Sequence, residues 1–331
     1  MKPNGTLLLK RQEVAALLGL DECIAAVEQA FKSHAEGRSL PPGVLGVHAR
    51  DGGFHIKAAG LELARPYFAA KVNGNFFQNK QRFGMPNIQG IIALCDAENG
   101  YPLAVMGSIE ITIIRTGAAT GVAAKHLART DATVATIAGC GNQGRISLRA
   151  LATVRRLEKV FAFDVDHEQA ERYADELSSE LRIAVTAVRD LSDAVSRSDI
   201  CVTCTPSKEP YLNQSDVAPG TFIAAVGADN EEKQELDPRL IAASKIVVDS
   251  LDQCAAIGDL KLALKQGLMT KADAHAELGE VIAGRKPGRE SRKEVIVFDS
   301  TGTALQDAAA AAIVYEKAVA NGCGIVLDFA G

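Results

Sequence analysis

Short apolar runs set at two different periods divide the chain into two regimes. In the first, Asp21 is followed by Ile24, Val27, Ala30 and Phe31 at helical spacing and closed by Gly37, which predicts one capped amphipathic helix. The period then shortens. Residues 44–49 and 54–58 flank Asp51-Gly52-Gly53, residues 67–73 precede Gly74, and residues 88–95 are joined to 102–106 across Asn99-Gly100. Alternating runs separated by such turns predict antiparallel strands, and with the helix they make an α+β unit. From about Thr116 to Ala128 the chain becomes alanine-rich and helical.

After Thr130 apolar runs at 133–138, 160–163, 183–187, 200–204, 222–226 and 246–248 alternate with helical stretches, and 295–298 adds one more strand. Strands alternating with helices imply βαβ units and a parallel sheet that binds ligands beyond the carboxyl ends of its strands. A loop at 284–289 and a helix over 304–320, stopped by Asn321-Gly322, complete the pattern. The expected fold class is α/β: a doubly wound, Rossmann-type parallel sheet domain joined to an α+β domain.

A length of 331 residues has room for two such domains, and 47% apolar with 23% charged residues is the balance of a globular chain. The longest nearly unbroken apolar stretch, 308–315, falls far short of the roughly 18 residues that cross a bilayer, so no membrane partner is expected. Leu7-Leu8-Leu9 runs straight into Lys10 and Arg11, which is no secretory signal, and a cytoplasmic location is expected. The net charge of −5, without a stripe of Lys and Arg, argues against nucleic acid. Seven scattered cysteines make no disulfide framework, and Cys201 and Cys204, on opposite faces of one strand, read as core residues. Neither they nor the six histidines show ligand spacing, so no metal is expected.

The chemistry begins at Gly139-Cys140-Gly141-Asn142-Gln143-Gly144, which has the spacing G-x-G-x-x-G. The motif alone is weak, but here it follows a strand directly, opens a helical run, and is followed twenty residues beyond Gly144 by Asp164 at the end of the next strand. Glycine permits the tight turn and close backbone approach, unpaired N–H groups of the helix receive a pyrophosphate, and the carboxylate accepts from ribose hydroxyls. A carboxylate there repels a 2′-phosphate and no neighbouring Arg offsets it, so the expected cofactor is NAD rather than NADP. Lys71, in an apolar strand, calls for a carboxylate partner or an anionic ligand if it is buried. Asp229 follows the run 222–226, at a strand's carboxyl end where open sheets carry their sites.

Seven collinear motifs resemble the ornithine cyclodeaminase/mu-crystallin family: Lys71-Val72-Asn73-Gly74, Arg115-Thr116-Gly117-Ala118-Ala119, the Gly139 loop, Thr203-Cys204-Thr205-Pro206-Ser207, Val226-Gly227-Ala228-Asp229, Glu277-Leu278-Gly279-Glu280 and Phe298-Asp299-Ser300-Thr301-Gly302. The resemblance implies a substrate and dimerisation domain over 1–125 with 305–331, a dinucleotide domain over 126–304, and a homodimer. It implies that Lys71 and Arg115 bind the substrate carboxylate and that Asp229 is the acid/base residue, with Lys71 beside the reacting carbon. It assigns Asn87, Arg115, Thr116, Gly139, Gly141, Asn142, Gln143, Gly144, Asp164, Thr205, Val226, Lys233 and Ser300 to the dinucleotide. The implied activity is NAD-dependent interconversion of an α-amino acid and its α-imino acid. Ornithine cyclodeamination with recycled NAD, or a non-catalytic crystallin-like binding role, are the alternatives.

Two departures bear on the substrate. Gly43 stands where the family carries a substrate-binding arginine, and Lys57 stands where it usually carries Met. Lys57 shares a strand face with His55, and with Lys71 and Arg115 it would form a basic cluster suited to an amino or imino acid with a compact or acidic side chain, such as iminosuccinate. The alternative is that Lys57 only takes over the carboxylate from the missing arginine.

Overall fold

The computed structural model describes residues 5–329. In chain order the strands are β1 (Thr6–Leu9), β2 (Ser39–Ala49), β3 (Gly52–Glu62), β4 (Pro66–Asn75), β5 (Ile88–Asp96), β6 (Pro102–Gly107), β7 (Val134–Ala138), β8 (Lys159–Phe163), β9 (Ala184–Ala187), β10 (Ile200–Thr203), β11 (Phe222–Ala225), β12 (Lys245–Val248), β13 (Ala276–Glu277), β14 (Ile296–Asp299) and β15 (Ile325–Leu327). They form two sheets in two compact units, one of residues 1–115 with 303–331 and one of residues 116–302.

The first unit holds a seven-stranded mixed sheet in the order β15-β1-β6-β5-β4-β3-β2. Antiparallel register pairs Lys57 with Lys71 and Lys71 with Ile92, and pairs Ala59 with Ala69 and Ala69 with Leu94. Side chains alternate along a strand, so these residues share one face. That face is covered by the helix Ala304–Asn321, which also packs on the helix Leu20–Ala35. Ala308–Ala312 are all buried, and their small side chains let the helix lie close on the strands. Tyr67, buried on the same face, donates its hydroxyl hydrogen bond to Glu316 of that helix.

The opposite face of the sheet carries Leu45, Val47, Phe54 and Ile91, all exposed, with Ile56 and Val72 between them. A sheet facing water on one side alternates apolar with polar residues, whereas these strands are apolar on both sides. The structure corrects one element and adds others, among them β1, β15 and the short helices Arg11–Leu17 and Asn79–Phe83. The helix predicted from Thr116 begins at Ser108, because Ile111, Ile113 and Ile114 form a β-branched run that reads as strand. The run Leu7-Leu8-Leu9 is β1, placed parallel to β6 and antiparallel to β15, a pairing that three apolar residues without a period do not announce.

The second unit holds an all-parallel sheet in the order β13-β12-β14-β11-β10-β7-β8-β9. The chain runs outward from β7 through β8 to β9 and then returns to β10 on the other side of β7. The crevice at this reversal is where such sheets bind ligands. The loop leaving β7 has Gly139 at φ +106°, closed to L side chains, and a Cβ on Gly144 would lie 2.1 Å from the Gly139 carbonyl oxygen. Gly144 is therefore the contact that lets the helix Asn142–Val154 start against the strand it follows. Among the described residues no helix is long and apolar enough to cross a membrane.

Gly144→Ala is expected to destabilise the second unit by about 1–3 kcal/mol, since backbone must move to admit the methyl group. Urea unfolding monitored by circular dichroism measures the change.

Candidate functional site

The first unit assembles a buried charged cluster. Lys57 and Lys71, directly opposite on β3 and β4, are 7% and 4% exposed, and Arg115 of the helix Ser108–Leu127 is 6% exposed. Asp307, in the first turn of the helix Ala304–Asn321, is the carboxylate they surround. Lys71 Nζ lies 2.6 Å from Asp307 Oδ2, and Arg115 Nε donates to Oδ1 over 3.1 Å. Arg115 Nη1 donates to Gln306 Oε1 over 2.7 Å. Burial alone would raise the Asp307 carboxyl, but Lys71, Arg115 and Lys57 together hold it below its usual range. Burial also pulls the Lys71 ammonium down to about 7, against the pull of Asp307 and with the repulsion of Arg115 and Lys57. Three cationic side chains thus face one carboxylate.

His55 shares the Lys57 face and pairs in register with Asn73, whose Oδ1 accepts from Ser108 Oγ over 2.7 Å. Gly43 does not share that face: it pairs with Ala58, whereas Val44 pairs with Lys57. A side chain at position 43 would leave the sheet on the side away from Lys57 and Lys71, so the register does not support a simple exchange of one cation for the other. Asn87 is half-buried ahead of β5, where its Oδ1 accepts from the Lys80 N–H and its carbonyl from the Phe76 N–H.

In the second unit the glycine loop has the form of a dinucleotide cradle. A Cβ on Gly141 would meet nothing within 4 Å, so the backbone is open to close approach there. No side chain caps the helix that begins at Asn142, leaving the N–H groups of its first turn without intrahelical acceptors. Asp164 follows β8 directly and its Oδ2 accepts from the Cys140 N–H over 2.8 Å, which fixes the carboxylate against the loop. Asn142 is exposed, and Gln143 has a buried Oε1 without a hydrogen-bond partner. Thr116 is buried. These features fit a pyrophosphate and a ribose diol.

The remaining residues lie at the carboxyl ends of β10, β11 and β14. Asp229 follows β11, is 45% exposed, and pairs with Lys233 Nζ at 2.7 Å. Val226 donates its N–H to the Thr203 carbonyl, and Ser300 donates its hydroxyl to Asp249. Cys201 is fully buried and Cys204 donates its thiol to the Gly139 carbonyl; burial pushes both thiols up.

Sequence reasoning did not single out Glu235. It is fully buried, and its Oε1 accepts from the Thr205 N–H and hydroxyl, each over 2.7 Å, and from the Tyr211 hydroxyl over 2.8 Å. Its Oε2 accepts from the Gly227 N–H over 2.9 Å. One carboxylate thus ties the loop after β10 to the loop after β11, and burial together with the charge of Asp259 raises its pKa. In the sequence it stands in the polar run Glu231-Glu232-Lys233-Gln234-Glu235, which reads as solvated surface.

From residue 4 to residue 322 the chain matches the ornithine cyclodeaminase/mu-crystallin family. The chain belongs to that family. It is 38% identical to the alanine dehydrogenase of Archaeoglobus fulgidus over 98% of both chains. An archaeal alanine dehydrogenase dimer with bound NAD matches the fold at a TM-score of 0.94, with 38% identity over 98% of this chain and 99% of that one. The Δ1-pyrroline-2-carboxylate reductase of Thermococcus litoralis, in complex with NADH and L-proline, matches at 0.92, with 35% identity over 97% and 100%. The iminosuccinate reductase of Paracoccus denitrificans, in complex with NAD+, matches at 0.91, with 32% identity over 98% and 100%. Within the family these relatives define a branch of NAD-dependent amino acid dehydrogenases and imino acid reductases, and this chain falls in it.

Asp307→Asn strands buried cations without their carboxylate, and breaking a buried pair in this way costs about 3–5 kcal/mol. The expected outcome is a matching loss of unfolding free energy in urea, larger than for removal of the exposed partner in the Lys208–Glu232 pair.

Proposed function

We propose that the protein is an NAD-dependent oxidoreductase that interconverts an α-amino acid and its α-imino acid, with a small or dicarboxylic substrate. The observation that carries this reading is that two buried cationic side chains, Lys71 and Arg115, share the single carboxylate of Asp307, which calls for an anionic ligand. The open backbone at Gly141 and the seated Asp164 supply the second requirement, a dinucleotide without a 2′-phosphate. When bound, the nicotinamide would supply hydride-acceptor chemistry at the α-carbon of the amino acid and, in its reduced form, hydride-donor chemistry at the imine.

On this reading Lys71 and Arg115 hold the α-carboxylate and fix the orientation of the α-carbon. Asp229, paired with Lys233, takes a proton from the substrate nitrogen in one direction and delivers it in the other. Asp164 accepts from the ribose hydroxyls, and Gly139, Gly141, Asn142, Gln143 and Gly144 surround the pyrophosphate. Asn87, Thr116, Thr205, Val226, Lys233 and Ser300 complete the dinucleotide contacts. Lys57 sets the side-chain preference: the second ammonium of ornithine would meet like charge there, which disfavours cyclodeamination as the main activity. The apolar outer face around Leu45, Val47, Phe54 and Ile91 supports assembly as a homodimer.

The test is NADH oxidation with a panel of imino acids: Δ1-pyrroline-2-carboxylate, iminosuccinate, and the imine formed from pyruvate and ammonia. The expected result is stoichiometric NADH consumption with at least one, weaker use of NADPH, and a kcat about 10²–10⁴-fold lower in Asp229→Asn with the NADH affinity kept. Proline formation from ornithine without net redox would overturn the assignment.

The state of Lys71 gives a pH dependence with a definite sign. Anion binding needs the protonated ammonium, whose pKa stands at about 7, so affinity is full below that pH and falls as pH rises through it. The inhibition constant of cyclopentanecarboxylate, which has no titrating nitrogen, is expected to weaken by up to about tenfold per pH unit above about 7. The stability contribution of the same group runs the other way. Its folded pKa lies below the unfolded value, so folding gains as pH rises from about 7 toward the ordinary lysine range.

A further inference from the structure

Gln306 stands beside Asp307 in the first turn of the helix Ala304–Asn321 and is fully buried. The identity of its two amide ends is decided by chemistry. Arg115 can only donate, and its Nη1 lies 2.7 Å from one end of the amide, so that end is the oxygen. The other end, Nε2, carries two N–H donors, is buried, and has no hydrogen-bond partner. Thr303, the residue that begins the helix, likewise has a buried hydroxyl without a partner and does not cap the helix. Unmet donors of this kind cost about 1–3 kcal/mol each, so one kept beside a charged cluster calls for an acceptor.

The surroundings identify that acceptor. The amide is separated by one carbon from the oxygen held by Arg115, and the same guanidinium reaches Asp307, which pairs with Lys71. Gln306 Nε2 therefore opens from a cluster with surplus positive charge, at the end of an 18-residue helix whose dipole also favours an anion. Water would satisfy the N–H groups but would leave the charge uncompensated; a carboxylate does both.

We propose that Gln306 is a specificity-determining contact of the substrate carboxylate, its Nε2 donating to a carboxylate oxygen while Oε1 stays on Arg115, with Thr303 Oγ1 as a second donor to the same group. This rests on the reading that the first unit binds an amino or imino acid. It makes the amide a selector for an ionised acid over its amide or ester, which lysine and arginine by themselves discriminate by charge alone.

The test compares cyclopentanecarboxylate with cyclopentanecarboxamide as inhibitors of imine reduction. In Gln306→Glu the acceptor facing Arg115 is kept, while the donor becomes an anionic oxygen that repels a carboxylate and accepts from a carboxamide. The expected result is a carboxylate inhibition constant about 10–100-fold weaker, a carboxamide constant unchanged or tighter, and an unchanged NADH affinity. A merely structural role would move both inhibitors together. Gln306→Met, which keeps the shape without donor or acceptor, is expected to weaken the carboxylate several-fold, and serves if the first variant fails to fold. Carboxylate binding by Gln306→Met equal to that of the native chain, or an unaltered carboxylate-to-carboxamide ratio in Gln306→Glu, overturns this inference alone. A native chain that neither turns over an imino acid nor binds the carboxylate overturns it together with the reading on which it rests.

Discussion

The pairing of Asp307 with Lys71 and Arg115 is the constraint on which the first unit depends. These side chains come from a strand, from the helix Ser108–Leu127 and from the C-terminal helix, and they are distant in sequence. Two ammonium groups and a guanidinium would not stay buried against an apolar sheet without the carboxylate, and the carboxylate would not stay buried without them. The C-terminal helix is therefore held on the sheet by electrostatics at its first turn and by close alanine packing along its length. Lys71 and Arg115 share that one carboxylate, and this is the feature on which the proposed anion site rests.

The second unit applies the same economy to its loops. Asp249 accepts from the Ser300 hydroxyl and the Gly302 N–H, Asp259 from the Glu235 and Leu236 N–H groups, and Asp299 from the Asp259 and Leu260 N–H groups. With Glu235 these are four buried carboxylates that take up backbone donors at the carboxyl ends of the parallel strands. Loops leaving an open sheet have few neighbours of their own, and a buried carboxylate that gathers several N–H groups replaces the missing ladder. Burial raises the pKa of Glu235, Asp259 and Asp299, and the hydrogen bonds they accept from backbone N–H groups pull the other way.

Local rules made the glycine loop and the strands around it legible. The Gly139 motif, Asp164 and the alternation of apolar runs depend on neighbours within about thirty residues, and a parallel sheet follows from that spacing. Lys71 and Arg115 carried a signal of a different kind, a charge set among apolar residues, which asks for a partner but does not name it. Glu235 carried no signal, because a carboxylate inside a polar run looks the same whether the fold turns it outward or inward.

What the sequence determined by itself is the order of elements, the doubly wound sheet with its dinucleotide loop, and the cationic residues that needed an anion. Only the tertiary structure decided that the anion inside the protein is Asp307, that Lys57 stands directly across from Lys71 while Gly43 faces away, and that Gln306 keeps a donor unspent. The physical reason is that backbone geometry and glycine freedom act over a few residues, whereas a buried charge is balanced by whatever the packing brings within about 3 Å of it, however far away in the chain.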